Sequence, residues 1–204
     1  MKWKVCGMKF EKNIFEVAEL KPDYMGFIFY EKSPRFVGKD FKMPEISKGI
    51  KKVGVFVNES VEEILACVKK QNLQFVQLHG NETVAYCNEL KNKNVSIIKA
   101  FGIDEEFNFT QLPTYEKYCD YFLFDIKTSK YGGSGKKFDW NILQKYEGEK
   151  LFFLSGGIDL EAASFLSEST INKALYAMDV NSKFEIMPGL KNCQTLKKLQ
   201  QCIK

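Results

Sequence analysis

A recurrence most limits how this chain can fold. Short apolar runs of strand type appear at 2–7, 24–30, 51–58, 75–80, 96–102, 121–126, 151–157 and 174–182, with starts 21 to 30 residues apart. Continuous apolar runs, rather than alternating ones, are what parallel strands buried on both faces require. Each gap is long enough for a crossover helix. Eight such alternations, with no linker and no break in composition, predict an α/β fold: a single-domain (β/α)8 TIM barrel of near-minimal size over residues 1–204. At 204 residues the chain can bury one core well and is short for two ordinary domains. The competing architecture is an open doubly wound sheet. It usually has fewer strands and often a GxGxxG turn after the first, and that turn is absent here.

Helical signals fill the gaps. Asn13-x-x-Glu16 and Ser60-x-x-Glu63 read as capping boxes. Asn81, Asp139 and Asp159 are placed to cap the helices that follow them, and Ile64, Leu65 and Val68 give one helix an apolar face. Gln194 to Ile203 reads as a closing helix. The stretch after the second run, with Pro44, reads as a short helix at most, and Pro113 interrupts 104–119.

Composition narrows the function classes. Apolar residues make up 45% and charged residues 27%, the balance of an ordinary globular chain. No apolar run approaches the roughly 18 residues of a membrane span, and Met1 to Cys6 enters strand-like sequence without a signal-peptide core. The expectation is a cytoplasmic protein with no membrane partner. Its six cysteines include no CxxC pair, which argues against a disulfide framework and against a metal site. The net charge of +4 is carried by scattered lysines, as on a solvated surface, so no nucleic-acid partner is expected. Of 30 basic residues one is an arginine, Arg35, and the single histidine is His79.

In a barrel, residues at the C-terminal ends of the strands converge on one mouth. Here they are Cys6, Tyr30 to Arg35, Asn58, His79, Phe101, Asp125, Ser155 to Gly157 and Asp179 to Ser182. Tyr121 to Phe124 deliver Asp125, and a loop with Gly132 and Gly133 follows, where glycines let backbone N–H groups approach an anion. Ser155-Gly156-Gly157 is a second such turn, after the seventh strand, where barrels of this kind commonly hold a phosphate. Either turn also reads as a plain packing turn. A strand cysteine is usually core, but at a mouth a nearby charge can make Cys6 a proton acceptor.

Taken in order, Lys4-Val5-Cys6-Gly7, Gly26-Phe27-Ile28-Phe29 with Ser33-Pro34-Arg35, Val53 to Asn58, Val76-Gln77-Leu78-His79-Gly80 with Glu82, Phe124-Asp125 with Gly132-Gly133-Ser134-Gly135, Leu154 to Ile158, and Met178-Asp179-Val180 with Phe184-Glu185 resemble the successive motifs of the phosphoribosylanthranilate isomerase (TrpF) family of tryptophan biosynthesis. The match spans almost the whole chain and contains both the lone arginine and the lone histidine.

The resemblance implies an Amadori rearrangement of N-(5-phosphoribosyl)anthranilate to 1-(o-carboxyphenylamino)-1-deoxyribulose 5-phosphate, with no cofactor and with a small phosphosugar as partner. Asp125 would be the general acid that opens the furanose ring, and Cys6 the general base that removes the C2′ proton. Asp125 must carry a proton to act, so the substrate's negative charge or partial desolvation has to help. Cys6 must become thiolate from an ordinary value near ~8.5. Arg35 would meet the anthranilate carboxylate, where a planar fork outperforms lysine. His79 would line the mouth. Gly132, Gly133, Gly156, Gly157, Asp179, Asn181 and Ser182 would hold the rest of the phosphosugar. The chain departs from the family where a glycine after the eighth strand is replaced by Lys183, whose N–H can still face a phosphate at negative φ. Further on, Asn192 replaces an aspartate as helix cap, with no consequence expected.

Alternatives from the same fold are another phosphosugar isomerase, epimerase or lyase, including a Schiff-base enzyme built on Lys99; a barrel kept as a binding module is a third reading. One histidine is too few for an epimerase's metal ligands. Oligomeric state, monomer or homodimer, is open at this point.

Overall fold

All eight apolar runs become strands, because each can bury both faces only between two neighbours and under a helix. The computed structural model describes residues 1–126, 140–169 and 171–203. The strands are β1 (Lys2–Val5), β2 (Tyr24–Ile28), β3 (Lys51–Phe56), β4 (Phe75–Leu78), β5 (Ile97–Ile103), β6 (Tyr121–Ile126), β7 (Phe152–Ser155) and β8 (Leu175–Val180). They pair in parallel in chain order, and β8 returns to β1, from Lys2 opposite Ala177 to Val5 opposite Val180, closing the barrel. The expected architecture is the observed one.

The helices are less complete than the strands. They are α1 (Glu11–Ala18), α2 (Val61–Gln71), α3 (Val84–Asn92), α4 (Pro113–Glu116), α5 (Leu160–Glu168) and α6 (Cys193–Cys202). Ser60 caps α2 by accepting from the Glu63 N–H at 3.2 Å, and Asn72 ends it in the left-handed region at φ 50°. Asp159 caps α5, and Asn192 caps α6 with two backbone bonds. Among the described residues no helix forms between β2 and β3, where the chain bridges Ile28 to Phe36. Pro113 starts α4, a single turn, rather than interrupting a longer helix.

Two expected caps are corrected. Asn13 lies inside α1, whose N-cap Phe10 has no side-chain bond. Its buried amide instead brackets Lys191, accepting from the Lys191 N–H at 2.7 Å and donating to its carbonyl at 3.0 Å. The cap of α3 is Thr83, not Asn81, whose N–H is taken by Asn58 Oδ1 at 2.7 Å. Asp139 lies outside the described residues.

Alternate strand residues face the barrel axis. Tyr24, Val53, Ile98, Leu123, Phe153 and Ala177 form a plug inside the ring, with Phe75, Tyr121 and Tyr176 packed below it. Tyr121 stacks on Tyr176 at 4.9 Å, and the Tyr24 and Tyr176 hydroxyls are 3.1 Å apart. Two residues further along several strands the inward positions turn polar: Gln77, Asp125, Ser155 and Asp179. The plug therefore excludes water from below, and the polar layer stands on it at the C-terminal end. The short antiparallel pair β9 (Glu185–Met187) and β10 (Leu190–Lys191) then folds over the β8 side.

Candidate active site

A cavity of about 530 Å³ opens at the C-terminal end of the barrel. Cys6, Tyr30, Gln77, His79, Asp125, Ser155, Gly156, Gly157, Asp179, Asn181, Ser182 and Lys183 line it. Of the seven glycine, asparagine, serine and aspartate positions expected at the mouth beyond the acid, five, Gly156, Gly157, Asp179, Asn181 and Ser182, are in the lining, while Gly132 and Gly133 lie outside the described residues.

Cys6 follows β1 and is buried. It fits because Gly26 on the adjacent strand has no side chain: a Cβ there would sit 2.7 Å from Cys6 Sγ and 3.2 Å from Lys4 Cε. Lys4 and Cys6 are two residues apart on one strand and share the inward face. Lys4 is fully buried, and its Nζ donates to Asp179 Oδ2 at 2.7 Å and Gln77 Oε1 at 2.8 Å. Burial pushes the Cys6 thiol up and the Lys4 ammonium pulls it back; Asp179 adds to the rise and Lys191 opposes it, leaving the thiol above its ordinary value. Burial also works against the Lys4 charge, but Asp179 and Cys6 outweigh it and hold Lys4 above the ordinary lysine value. With that ammonium at contact, we read the Lys4–Asp179 pair as ionic, although burial alone drives the Asp179 carboxyl upward. Among the described residues, Asp179 Oδ1 is the one buried side-chain nitrogen or oxygen without a hydrogen-bond partner.

Across the cavity, Asp125 on β6 is partly exposed and stands 3.4 Å from His79 Nε2. His79 Nδ1 in turn lies 2.9 Å from Gln77 Nε2. Gly156, at φ +103°, passes so close to the end of β6 that a Cβ would fall on the Ile126 carbonyl. That approach seats the β7 turn beside Asp125. Lys183 falls outside the positive-φ residues and lies in the 3-10 turn Ser182–Phe184.

Arg35 stands at the rim, beside Gly7 and Asn181, rather than in the lining. Glu185 grips it, accepting from Nε at 3.0 Å and from Nη2 at 2.7 Å. Glu185 also accepts from Lys191 Nζ at 2.7 Å and from the Gly189 N–H at 3.0 Å. Burial would raise this carboxyl, but Arg35 and Lys191 together hold it below the usual range. Lys191 also donates to Asn181 Oδ1 at 2.6 Å, fixing that side chain at the mouth.

Lys99, the Schiff-base alternative, faces away from the axis. Its Nζ is consumed by Glu82 Oε2 and by the carbonyls of Leu78, Gly80 and Ala100. Sequence reasoning did not single out Lys4, Gln77, Glu185 or Lys191. For the first two a signal existed: each is a polar residue in an apolar strand, two positions before a reactive one. Among the described residues, no group of three or more His, Cys, Asp or Glu could hold a metal ion. No helix there is long and apolar enough to cross a membrane.

Comparison with known proteins places this geometry. The sequence profile described as N-(5'phosphoribosyl)anthranilate (PRA) isomerase matches residues 3–202. The N-(5'-phosphoribosyl)anthranilate isomerase of Parabacteroides distasonis is 44% identical over 204 residues, covering 98% of this chain and 92% of that one. The crystal structure of phosphoribosyl anthranilate isomerase from Thermotoga maritima superposes with a TM-score of 0.80 at 31% identity, over 100% of this chain and 98% of that one. A phosphoribosyl anthranilate isomerase in complex with reduced 1-(o-carboxyphenylamino)-1-deoxyribulose 5-phosphate superposes at 0.78 with 27% identity, over the same shares.

Proposed function

The chain belongs to the N-(5'-phosphoribosyl)anthranilate isomerase family and is an isomerase of tryptophan biosynthesis; we propose that Asp125 is its general acid and Cys6 its general base. The observation that carries this reading is that both side chains line one cavity, delivered by β6 and β1 from different sides of the ring. A sugar held between them would meet the acid at its ring oxygen and the base at C2′, which supplies the orientation term.

Asp125 donates its proton to the furanose ring oxygen. The C1′–O bond breaks, that oxygen becomes a hydroxyl, and the anilino nitrogen's lone pair forms a C1′=N double bond. Cys6 thiolate then removes the C2′ proton. The C2′–H electron pair forms C1′=C2′, and the C=N π pair returns to nitrogen, giving the enolamine. Moving a proton from the C2′ hydroxyl to C1′ yields the ketone, so the whole sequence is an isomerisation. Lys4 supports the thiolate as the nearest buried cation.

The phosphate is held at Gly156, Gly157, Ser182 and Lys183, where the β7 turn and the turn after β8 meet at the cavity. Arg35 receives the anthranilate carboxylate. Glu185 occupies its Nε and Nη2, so Nη1 is the nitrogen left to donate to that carboxylate. Asn181 and His79 complete the walls, and Asp179 lines the cavity beside them.

The experiment is the loss of substrate fluorescence on conversion by the pure protein. Cys6→Ser and Asp125→Asn are each expected to lower kcat by about 10²–10⁴ with the fold intact by circular dichroism. Turnover near wild type in either variant removes that residue from its role.

A further inference from the structure

We infer that Gln77 is a positioning residue that fixes the ring hydrogen of His79 on Nε2, facing Asp125. The argument starts from Lys4. An ammonium can only donate, so the Gln77 atom 2.8 Å from Lys4 Nζ has to be the carbonyl oxygen. The reverse orientation would set an NH2 group against a buried cation. The other end of the amide is therefore NH2, and it lies 2.9 Å from His79 Nδ1. Because an NH2 group only donates, Nδ1 must accept. A neutral imidazole that accepts at Nδ1 carries its hydrogen on Nε2. That nitrogen is 3.4 Å from Asp125 Oδ2, a separation that a bound ligand can tighten into a hydrogen bond. Lys4 and Gln77 are 0% and 1% exposed, so water cannot take the place of either partner. Among the described residues, Asp179 on β8 also acts on His79.

The consequence concerns the acid, and it rests on the proposed role of Asp125. An imidazole with its hydrogen on Nε2 offers Asp125 a donor and no lone pair. It cannot draw off the proton destined for the ring oxygen. Once that proton has moved, the same N–H supports the carboxylate left behind. His79 keeps its own hydrogen throughout. With the opposite tautomer, the Nε2 lone pair would compete with substrate for the acid's proton. A lysine on the base side of the cavity thus decides, through one amide, which way the acid's neighbour faces.

Because His79 is the single histidine, long-range 1H–15N correlation of labelled protein without a polyhistidine tag reads one imidazole only. The wild-type protein at neutral pH is expected to show the hydrogen on Nε2. Gln77→Glu, whose carboxylate can accept from Nδ1–H, is expected to move it to Nδ1 and to lower kcat about 10²-fold with KM little changed. A hydrogen on Nδ1 in the wild-type protein, alone or together with Nε2, overturns the inference without any variant having to fold. Folded Gln77→Glu with wild-type kcat overturns it as well. Full turnover by Asp125→Asn instead removes the acid role itself, leaving the tautomer measurement unaffected, so the two failures are distinguishable.

Discussion

Of the three lysine–carboxylate pairs buried among the described residues, one, Lys99–Glu82, lies outside the strand ring and one, Lys4–Asp179, inside it. Lys99 and Glu82 form the outer pair at 2.9 Å, with side chains 3% and 2% exposed. Three carbonyls complete the ammonium's shell, and the carboxylate also accepts from the Asn58 and Gly80 N–H groups. Nothing is left over, and the pair braces the ends of β3, β4 and β5. Lys4 and Asp179 form the inner pair at 2.7 Å, with one buried carboxylate oxygen unpartnered. The same two groups hold a fold together when saturated. When one valence is left open beside a thiol, they are placed to support the proposed base.

Removing each lysine should separate the two roles most clearly. Lys4→Met is expected to lower kcat/KM by roughly 10²-fold, because Cys6 loses its buried cation and Gln77 its anchor. Lys99→Met strands Glu82 and should cost about 3–5 kcal/mol in urea unfolding, while kcat per folded molecule stays unchanged. If Lys99→Met lowers kcat as far as Lys4→Met does, the distinction fails.

A finer test follows the thiol. With the other five cysteines replaced, alkylation of Cys6 should show a midpoint above the ordinary thiol value, and Lys4→Met should slow it about tenfold more at fixed pH. An unchanged rate would dissociate Lys4 from the base. The smallest effect concerns acid. Burial would raise the Glu82 carboxyl, but Lys99 and two backbone donors bring it below the ordinary value. A depressed folded value means its stabilisation is complete above the unfolded value of about 4.3 and is lost as pH falls through the lower folded one. The stability gap between wild type and Glu82→Gln should therefore hold at pH 5 and above and shrink only in stronger acid.

What could be read from the chain divides by distance along it. The strands and the Ser60 and Asp159 caps are local patterns, and they stand where the sequence puts them; of the residues expected at the mouth, Phe101 instead packs outward against Tyr115 and Phe122. Asn13 matches a capping box equally well, yet its amide is claimed by Lys191, 178 residues away. Gln77 and Lys4 sit in quoted motifs, but their meaning depends on a contact across 73 residues. Arg35 was legible as a lone guanidinium and not as the partner of Glu185, 150 residues on. Polar residues in apolar strands carry a role that only their cross-ring partners define.

The β1–β8 seam has a consequence for how the molecule is made. On the ribosome, Asp179 follows Lys4 by 175 residues. At typical elongation rates of about 5–20 residues per second, that interval is on the order of ten seconds or more. Through it Lys4 lacks the carboxylate that pairs with it in the closed ring. Docking of the last strand closes the ring, buries that charge and supplies the Asp179, Asn181 and Ser182 side of the cavity, so a nascent chain short of β8 lacks one wall of the proposed site.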